Sequence, residues 1–377
     1  MSALHIGVDA KNILTDRRGI GRYAKALLRR WYAREDVRIS LLVPSLFTSF
    51  MRTALARTLG IEDVVVRRPQ DAARRGCDVV WYPWNGMEWT TQLPVVATVH
   101  DVWPFAAPAD DRRRREHQQS PFRTTAGSAD RIITDSAFSK TEIIRHLHVD
   151  ADTIEVVPLG VDMPSAAEKE AAAVRPRLDG ADRYLLFVGE VEERKQLPTV
   201  LAAFAYLSNG LQARLGLVIV GKTAPSQRRV GAIERGAAPV LRFQPQHGVN
   251  MLVTGEVDDR LLAQLYAHAA AFVLPSSYEG FGLPLLEAMA YGAPAIASDA
   301  ASLPETGADA ALYFPCGDAA ALAAQLGAVL ADDDLAARLR AKGFVRASTM
   351  SWNPCATQTL AIIRATALSR SPARGRR

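Results

Sequence analysis

The stretch Ala271-Phe272-Val273-Leu274-Pro275-Ser276-Ser277-Tyr278-Glu279-Gly280-Phe281-Gly282-Leu283-Pro284-Leu285-Leu286-Glu287 reads as strand, turn and helix in succession. Ala271–Leu274 is a short apolar run of the kind that forms a buried strand, and Pro275 closes it. Pro284 suits the first position of a helix, where its missing N–H leaves no extra unpaired donor. Glu279 then falls on the loop and Glu287 in the first helical turn. Gly280 and Gly282 let bare backbone amides come close to a ligand. A loop carboxylate can grip hydroxyls on one ring while a helix carboxylate grips hydroxyls on a second. That arrangement suits a sugar joined through phosphates to a ribose. For either glutamate alone, a surface position or a dipole-favoured place in the helix is the plainer account. Two acids, two glycines and a proline in one string argue against that account.

Outward from this stretch, short apolar runs alternate with helical patterns along the chain, the mark of βαβ units around parallel sheets. Strands are expected at His5–Asp9, Ile39–Val43, Val64–Val66, Val79–Trp81, Val95–Val99, Arg131–Thr134 and Ile154–Val157. A second series runs through Tyr184–Val188, Leu217–Val220, Met251–Val253, Ala271–Leu274 and Ala295–Ser298. Helices are expected over Ile20–Ala33, Ser136–Leu147, Thr199–Leu207, Arg260–Ala270 and Ala356–Leu368. The fold class is α/β: two Rossmann-like doubly wound domains that present their strand C-termini to a shared cleft. The expected division is 1–163, a linker at 164–183, 184–350, and a terminal helix over 351–377 that returns to the first domain and ends in a basic tail.

The composition fits this plan. A chain of 377 residues with 49% hydrophobic and 23% charged residues can bury two ordinary cores. No apolar run approaches the roughly 18 residues of a membrane span. Met1–Leu4 leads straight into a strand-like segment, so no cleavable signal is expected. Cys77, Cys316 and Cys355 are few and widely spaced, so a reducing, cytoplasmic setting is expected, without a disulfide framework or zinc site. The net charge of +5 suits anionic partners such as nucleotide phosphates, lipid diphosphates or an acidic bilayer surface. Nucleic acid is disfavoured, because no nucleic-acid motif accompanies the charge.

Several other segments carry possible chemistry. Gly189-Glu190-Val191-Glu192-Glu193-Arg194-Lys195-Gln196 follows an apolar strand. Its Arg194 and Lys195 offer a bidentate fork and a compact point charge to a departing diphosphate without requiring a metal. Asp150-Ala151-Asp152 has the letters of a metal-binding Asp-x-Asp but precedes its strand and reads as a turn. His100-Asp101 follows Val95–Val99, where a neutral imidazole could bond a sugar hydroxyl and the adjacent acid could set its tautomer. Gly19-Ile20-Gly21-Arg22-Tyr23-Ala24 fits G-x-G-x-x-A, but it opens about nine residues after the strand, and no acid ends the next strand. The dinucleotide reading therefore fails on context. Trp81–Gly86 supplies aromatics for stacking on an acceptor sugar or for core packing. Arg112–Arg115 could meet anionic head groups, although a solvated helix face is the default for such a run.

The Ser276–Glu287 string resembles the E-x7-E signature of retaining glycosyltransferases of family 4, which have the GT-B fold. Gly189–Lys195 resembles that family's G-x4-R-K segment. Ser136–Lys140, Val157–Asp162 and Gly255–Asp258 match further stretches. The resemblance implies that Glu279 contacts the donor sugar and Glu287 the ribose. It implies that the backbone at Gly280, Phe281, Gly282 and Leu283 holds the sugar, and that Gly189, Arg194 and Lys195 hold the diphosphate. Glu256 and Val257 would face the nucleobase, Gly19 and Gly21 would form a loop near the donor phosphates, and His100 would touch the sugar's primary hydroxyl. Glu279, His100, Arg194 and Lys195 would be the catalytic set, with no cofactor and no metal. The expected reaction moves a hexose, mannose from GDP-mannose, with retention onto a saccharide or lipid-diphosphate-linked acceptor in bacterial polysaccharide assembly. The enzyme would be cytoplasmic with peripheral contact at the inner membrane face. A dTDP- or UDP-sugar donor, a nucleotide-sugar epimerase or hydrolase, and a noncatalytic scaffold are the alternatives.

Overall fold

Residues 3–16, 19–44, 48–207, 215–222, 230–234, 238–246 and 248–369 are described in a computed structural model. The chain divides into two compact units, Met1–Leu159 with Trp352–Arg377, and Gly160–Ser351. The first unit holds β1 (Leu4–Asp9), β2 (Val37–Leu42), β3 (Val65–Arg67), β4 (Val79–Tyr82), β5 (Val95–Thr98), β6 (Arg131–Thr134) and β7 (Ile154–Val156). They form one sheet in the order β3-β2-β1-β4-β5-β6-β7, parallel at every pairing. Strands such as β4 and β5 are buried at every residue. That explains their unbroken apolar sequence, since helices cover both faces of a parallel sheet.

The second unit holds β8 (Arg177–Asp179), β9 (Arg183–Val188), β10 (Leu215–Val220), β11 (Ala232–Glu234), β12 (Val240–Arg242), β13 (Gln244–Gln246), β14 (Val249–Gly255), β15 (Ala271–Leu274), β16 (Ala295–Ser298) and β17 (Ala311–Phe314). Its main sheet runs β13-β14-β10-β9-β15-β16-β17, and β11-β12-β8 make a small separate sheet. Apart from the antiparallel β13 edge, the main sheet is parallel. Leu185, Phe187, Leu217, Ile219, Val273 and Ile296 from its central strands share one core with Val200, Phe204, Leu322 and Leu326 from covering helices.

Three expectations need correction. The supposed linker 164–183 is folded. It contains the helix Ala166–Ala173, opened by a reciprocal Ser165/Glu168 capping box, and the strand β8, all within the second unit. Its alanine and charge content, read as linker composition, is that of a surface helix. The terminal helix starts at Trp352, not Ala356. Pro354 therefore lies in the first turn, where an absent N–H costs nothing. That helix packs in the first unit, where Trp31 Nε1 donates to the Ala356 carbonyl at 3.0 Å. The third concerns Gly19 and Gly21, which lie in the first turn of the helix Gly19–Tyr32 and not in a loop. The basic tail beyond residue 369 lies outside the described residues.

Candidate active site

In an open parallel sheet, ligands bind beyond the carboxyl ends of the two strands where the order reverses. In the second unit those strands are β9 and β15. The loop after β9 carries Arg194 and Lys195, and the loop after β15 carries Glu279, so the topology brings the two motifs together. The Ser277 amide donates to the Arg194 carbonyl at 2.8 Å and the Ser277 hydroxyl to the same oxygen at 3.2 Å, tying the loops to each other.

Glu279 is the hub of this place. The Lys195 ammonium bonds its Oε1 closely. Ser276 Oγ donates to the same oxygen at 2.7 Å, and the Arg194 guanidinium reaches Oε2 at 3.4 Å. Arg194 also donates to the Tyr278 carbonyl at 3.2 Å and to Glu192 Oε2 at 2.8 Å. The Lys195 and Glu279 side chains are only 8% and 9% exposed. Burial alone would push the Glu279 carboxyl up, but Lys195 and Arg194 outweigh it and hold its pKa below the ordinary value. The backbone around it is fixed as well, with Ser302 Oγ donating to the Glu279 carbonyl at 2.9 Å and Thr306 Oγ1 to that of Phe281.

Gly282 lies in the left-handed region at φ +89°, and a Cβ there would meet Leu303 Cδ2 at 2.5 Å. A glycine is therefore required where the helix Leu283–Ala290 begins, and the amides of Phe281, Gly282 and Leu283 sit at its amino-terminal turn. Glu287 is the fifth residue of this helix, one residue further in than the sequence suggests. It is buried and accepts from Tyr266 Oη at 3.2 Å. Gly189 follows β9, and a Cβ added there would come into ordinary contact with the Lys195 side chain. Gly221 follows β10 with φ +142°, and any Cβ there would lie 2.0 Å from the Gly189 carbonyl oxygen. Glu256 and Val257 follow β14. Glu256 is exposed, with Lys222 Nζ 3.9 Å away, and Val257 is half-buried.

The first unit has its own reversal between β1 and β4. Asp9 ends β1 fully buried, and its Oδ2 has no hydrogen-bond partner among the described residues. Burial pushes the Asp9 carboxyl up to about 6, against the opposing charge of Lys11. Trp84 Nε1 donates to the Asp9 carbonyl at 2.9 Å. Trp81 is core: it is buried against Trp31 and bonded to Thr98 Oγ1 at 3.1 Å, so it offers no face for stacking on a sugar. His100 pairs with Asp135 Oδ2 at 2.7 Å through Nδ1, not with its neighbour Asp101, whose Oδ1 accepts from the Trp103 amide at 3.1 Å. His100 Nε2 faces the Pro83 carbonyl at 3.1 Å. Both ring nitrogens thus face oxygen atoms within the protein, an arrangement in which an imidazolium can donate from both. Burial opposes that charge, but Asp135 and the Pro83 carbonyl win, and the His100 pKa is raised. Burial raises the Asp135 pKa as well. Gly21 packs so tightly that a Cβ would lie 2.1 Å from the Asp16 carbonyl oxygen. Asp150-Ala151-Asp152 is a capped turn in which Asp150 Oδ1 accepts the Asp152 amide at 3.1 Å. Arg112 pairs with Glu116 at 3.0 Å, and Arg115 binds the Ala109 carbonyl at 2.9 Å.

Residues 168–346 match the family model described as Glycosyl transferases group 1, and residues 17–163 match that of Glycosyltransferase Family 4. The chain is 33% identical over 270 residues to O-antigen chain mannosyltransferase B of Escherichia coli, covering 70% of this chain and 68% of that protein. The chain belongs to glycosyltransferase family 4. A second relative, the serotype-specific mannosyltransferase WbdA of Escherichia coli, is 29% identical over 59% of this family 4 chain, a stretch that spans only 27% of WbdA. Among solved structures, sucrose-phosphate synthase from Thermosynechococcus elongatus superposes with a TM-score of 0.69 at 19% identity, covering 97% of this chain and all of that one. WaaG, a glycosyltransferase involved in lipopolysaccharide biosynthesis, does so with a TM-score of 0.67 at 16% identity over 96% of this chain and 99% of its own. These likenesses are of fold, and the fold is GT-B. No described helix is long and apolar enough to cross a membrane.

Asp9, Asp135, Gly221, Ser276 and Tyr266 escaped the sequence reading of this family 4 chain. Asp135 stands just before the expected helix start at Ser136, where a capping residue belongs. Ser136 Oγ takes that role by accepting the Ser139 amide at 3.0 Å, which leaves Asp135 to face His100. Asp9 ends the first strand at the position where α/β sheets bind ligands, and that position was the available signal.

Proposed function

We propose that this family 4 enzyme transfers a mannosyl residue from GDP-mannose, with retention at the anomeric carbon and without need of a divalent cation. The acceptor is a saccharide, free or carried on a lipid diphosphate, in the assembly of a bacterial surface polysaccharide. The observation that carries the reading is the buried Glu279–Lys195–Arg194 cluster at the β9/β15 reversal. The choice of mannose leans on the names of the Escherichia coli relatives.

A carboxylate has about four acceptor positions. Lys195 and Ser276 take two on Oε1 and Arg194 takes one on Oε2, so one remains for a sugar hydroxyl. Glu279 in this proposal therefore does two things. It aims two cations at the departing diphosphate, and it accepts from the sugar. The acceptor hydroxyl attacks the anomeric carbon on the face of the leaving group. As the bond from that carbon to the phosphate oxygen breaks, a phosphate oxygen takes the hydroxyl proton. Arg194 and Lys195 stabilise the charge that collects on the diphosphate, which supplies the electrostatic catalysis. No protein nucleophile is used. Glu287 holds the ribose, the Phe281–Leu283 amides hold the sugar, and the Glu256–Val257 edge meets the base. His100 serves as a hydroxyl donor only if Nε2 leaves the Pro83 carbonyl. In this proposal the enzyme works where activated sugars are made, with peripheral contact at a membrane carrying the acceptor.

The test is a thermal-shift series with GDP, UDP, dTDP and their sugars, followed by product analysis with GDP-mannose in the presence of a chelator. GDP is expected to raise the melting temperature most, because a ligand that binds only the folded state stabilises it. Transfer should persist in the chelator. A protein stabilised by none of the nucleotides would end the reading.

A further inference from the structure

Tyr266 lies near the end of the helix Asp259–Ala267 and points its hydroxyl at Glu287 Oε2, 3.2 Å away, with both side chains buried. Its ring is held on two sides. Tyr291 stacks against it with centroids 6.0 Å apart and planes 8° from parallel. Phe272 meets it edge-on at 5.7 Å. The helix backbone is anchored beside it, where Tyr184 Oη donates to the Leu265 carbonyl at 2.9 Å. All of these residues belong to the second unit.

A free glutamate samples many rotamers, and ordering it on binding costs affinity. A carboxylate already bonded to a phenol that is itself fixed by stacking meets that cost during folding. Sites work when the residues that touch the ligand are held by neighbours whose own rotamers are locked. A carboxylate has about four acceptor positions and this hydroxyl uses one, so the bond orients the group without itself saturating it. We infer that Tyr266 is a positioning residue for nucleotide recognition: its hydroxyl fixes the Glu287 carboxylate against the ribose 2′ and 3′ hydroxyls of the bound nucleoside diphosphate. This rests on the ribose role proposed above for Glu287.

The test measures dissociation constants by calorimetry for GDP and for 2′,3′-dideoxy-GDP, with the UDP pair run in parallel. Wild-type protein is compared with Tyr266→Phe and Glu287→Ala. Phenylalanine keeps the stacking on Tyr291 and loses only the hydroxyl. Wild type should bind the ribonucleotide about tenfold or more tightly than the dideoxy form, the size expected for hydrogen bonds to a charged acceptor. Tyr266→Phe should weaken the ribonucleotide by roughly fivefold to tenfold and leave the dideoxy form unchanged. If Tyr266→Phe weakens both nucleotides equally, the hydroxyl has a merely structural role and the inference falls. If it changes neither while Glu287→Ala abolishes the discrimination, the inference falls and the ribose role of Glu287 stands. If Glu287→Ala keeps full discrimination, or no nucleotide binds wild type, the underlying reading fails with it.

Discussion

Lys195 and Glu279 form a buried pair whose halves are not equivalent. Removing Lys195 leaves the Glu279 carboxylate with Arg194 and Ser276 still donating to it. Removing Glu279 strips the carboxylate from two cations, one of them almost fully buried. An uncompensated buried charge costs roughly 3–5 kcal/mol. Glu279→Ala should therefore lower the denaturation midpoint more than Lys195→Ala. Lys195→Ala should instead lose about 10²–10³ in kcat through the leaving group. Unchanged turnover in Lys195→Ala would contradict the site. The pH dependence separates two carboxyls. The Glu279 pKa is depressed on folding, so its contribution is complete above the ordinary value of 4.5 and is lost as pH falls below that toward the folded value. Asp9 has the opposite sign, because its folded pKa of about 6 lies above the ordinary 3.8. Its burial therefore costs stability as pH rises through that window, about 3 kcal/mol once both states are ionised. Asp9→Asn should raise the melting temperature at pH 8, and the gain should vanish near pH 4. Equal gains at both pH values would show that the carboxylate is not the cause.

At the scale of elements, glycines separate what packing demands from what composition supplies. Gly21 lies where a Cβ would collide with the Asp16 backbone, whereas a Cβ on Gly127, in the helix Arg112–Ser128, would meet nothing within 4 Å. Gly21→Ala should destabilise the first unit by roughly 2 kcal/mol or more, through strain in a close-packed turn. Gly127→Ala should stabilise it by up to about 1 kcal/mol by restricting the unfolded chain. Denaturant midpoints of the two variants should thus move in opposite directions. The G-x-G letters alone could not separate a phosphate loop from a packed helix start, because the deciding contact is with the Asp16 carbonyl just before them, and its close approach is not encoded in the letters. Strands were legible for the reverse reason. Ala271–Leu274 is apolar throughout, and Ala295–Ser298 is apolar up to its final serine, because both sheet faces are covered, and their observed limits coincide with the expected ones. The paired helices Ala319–Ala331 and Asp333–Thr349 were passed over, since alanine-rich segments carry little hydrophobic contrast between faces. The small β11-β12-β8 sheet was also missed, because three-residue strands lie below any periodicity signal.

The whole molecule repeats one topological device. In each unit the sheet order reverses between the first strand of the main sheet and a later one, at β1/β4 and at β9/β15. The sequence revealed the second of these sites because charged residues and glycines interrupt its apolar pattern at readable spacing. It hid the first, because Asp9 is a single acid at a strand end and its environment comes from residues some seventy positions away, such as Tyr82 and Trp84. The residues proposed for the nucleotide, Gly189, Arg194, Lys195, Glu256, Glu279 and Glu287, all lie in Gly160–Ser351, which has its own core. A nucleoside diphosphate should therefore protect that unit first. At a hundredfold excess over Kd, linkage supplies about 2.7 kcal/mol. Hydrogen exchange should slow in Arg183–Val188, Ala271–Leu274 and Leu283–Ala290. Exchange in Leu4–Asp9 and Val79–Tyr82 should stay as it was without ligand. Protection that appeared equally in both sets would mean that the diphosphate is not held by the β9/β15 cluster alone, and Lys195→Ala would then fail to abolish it.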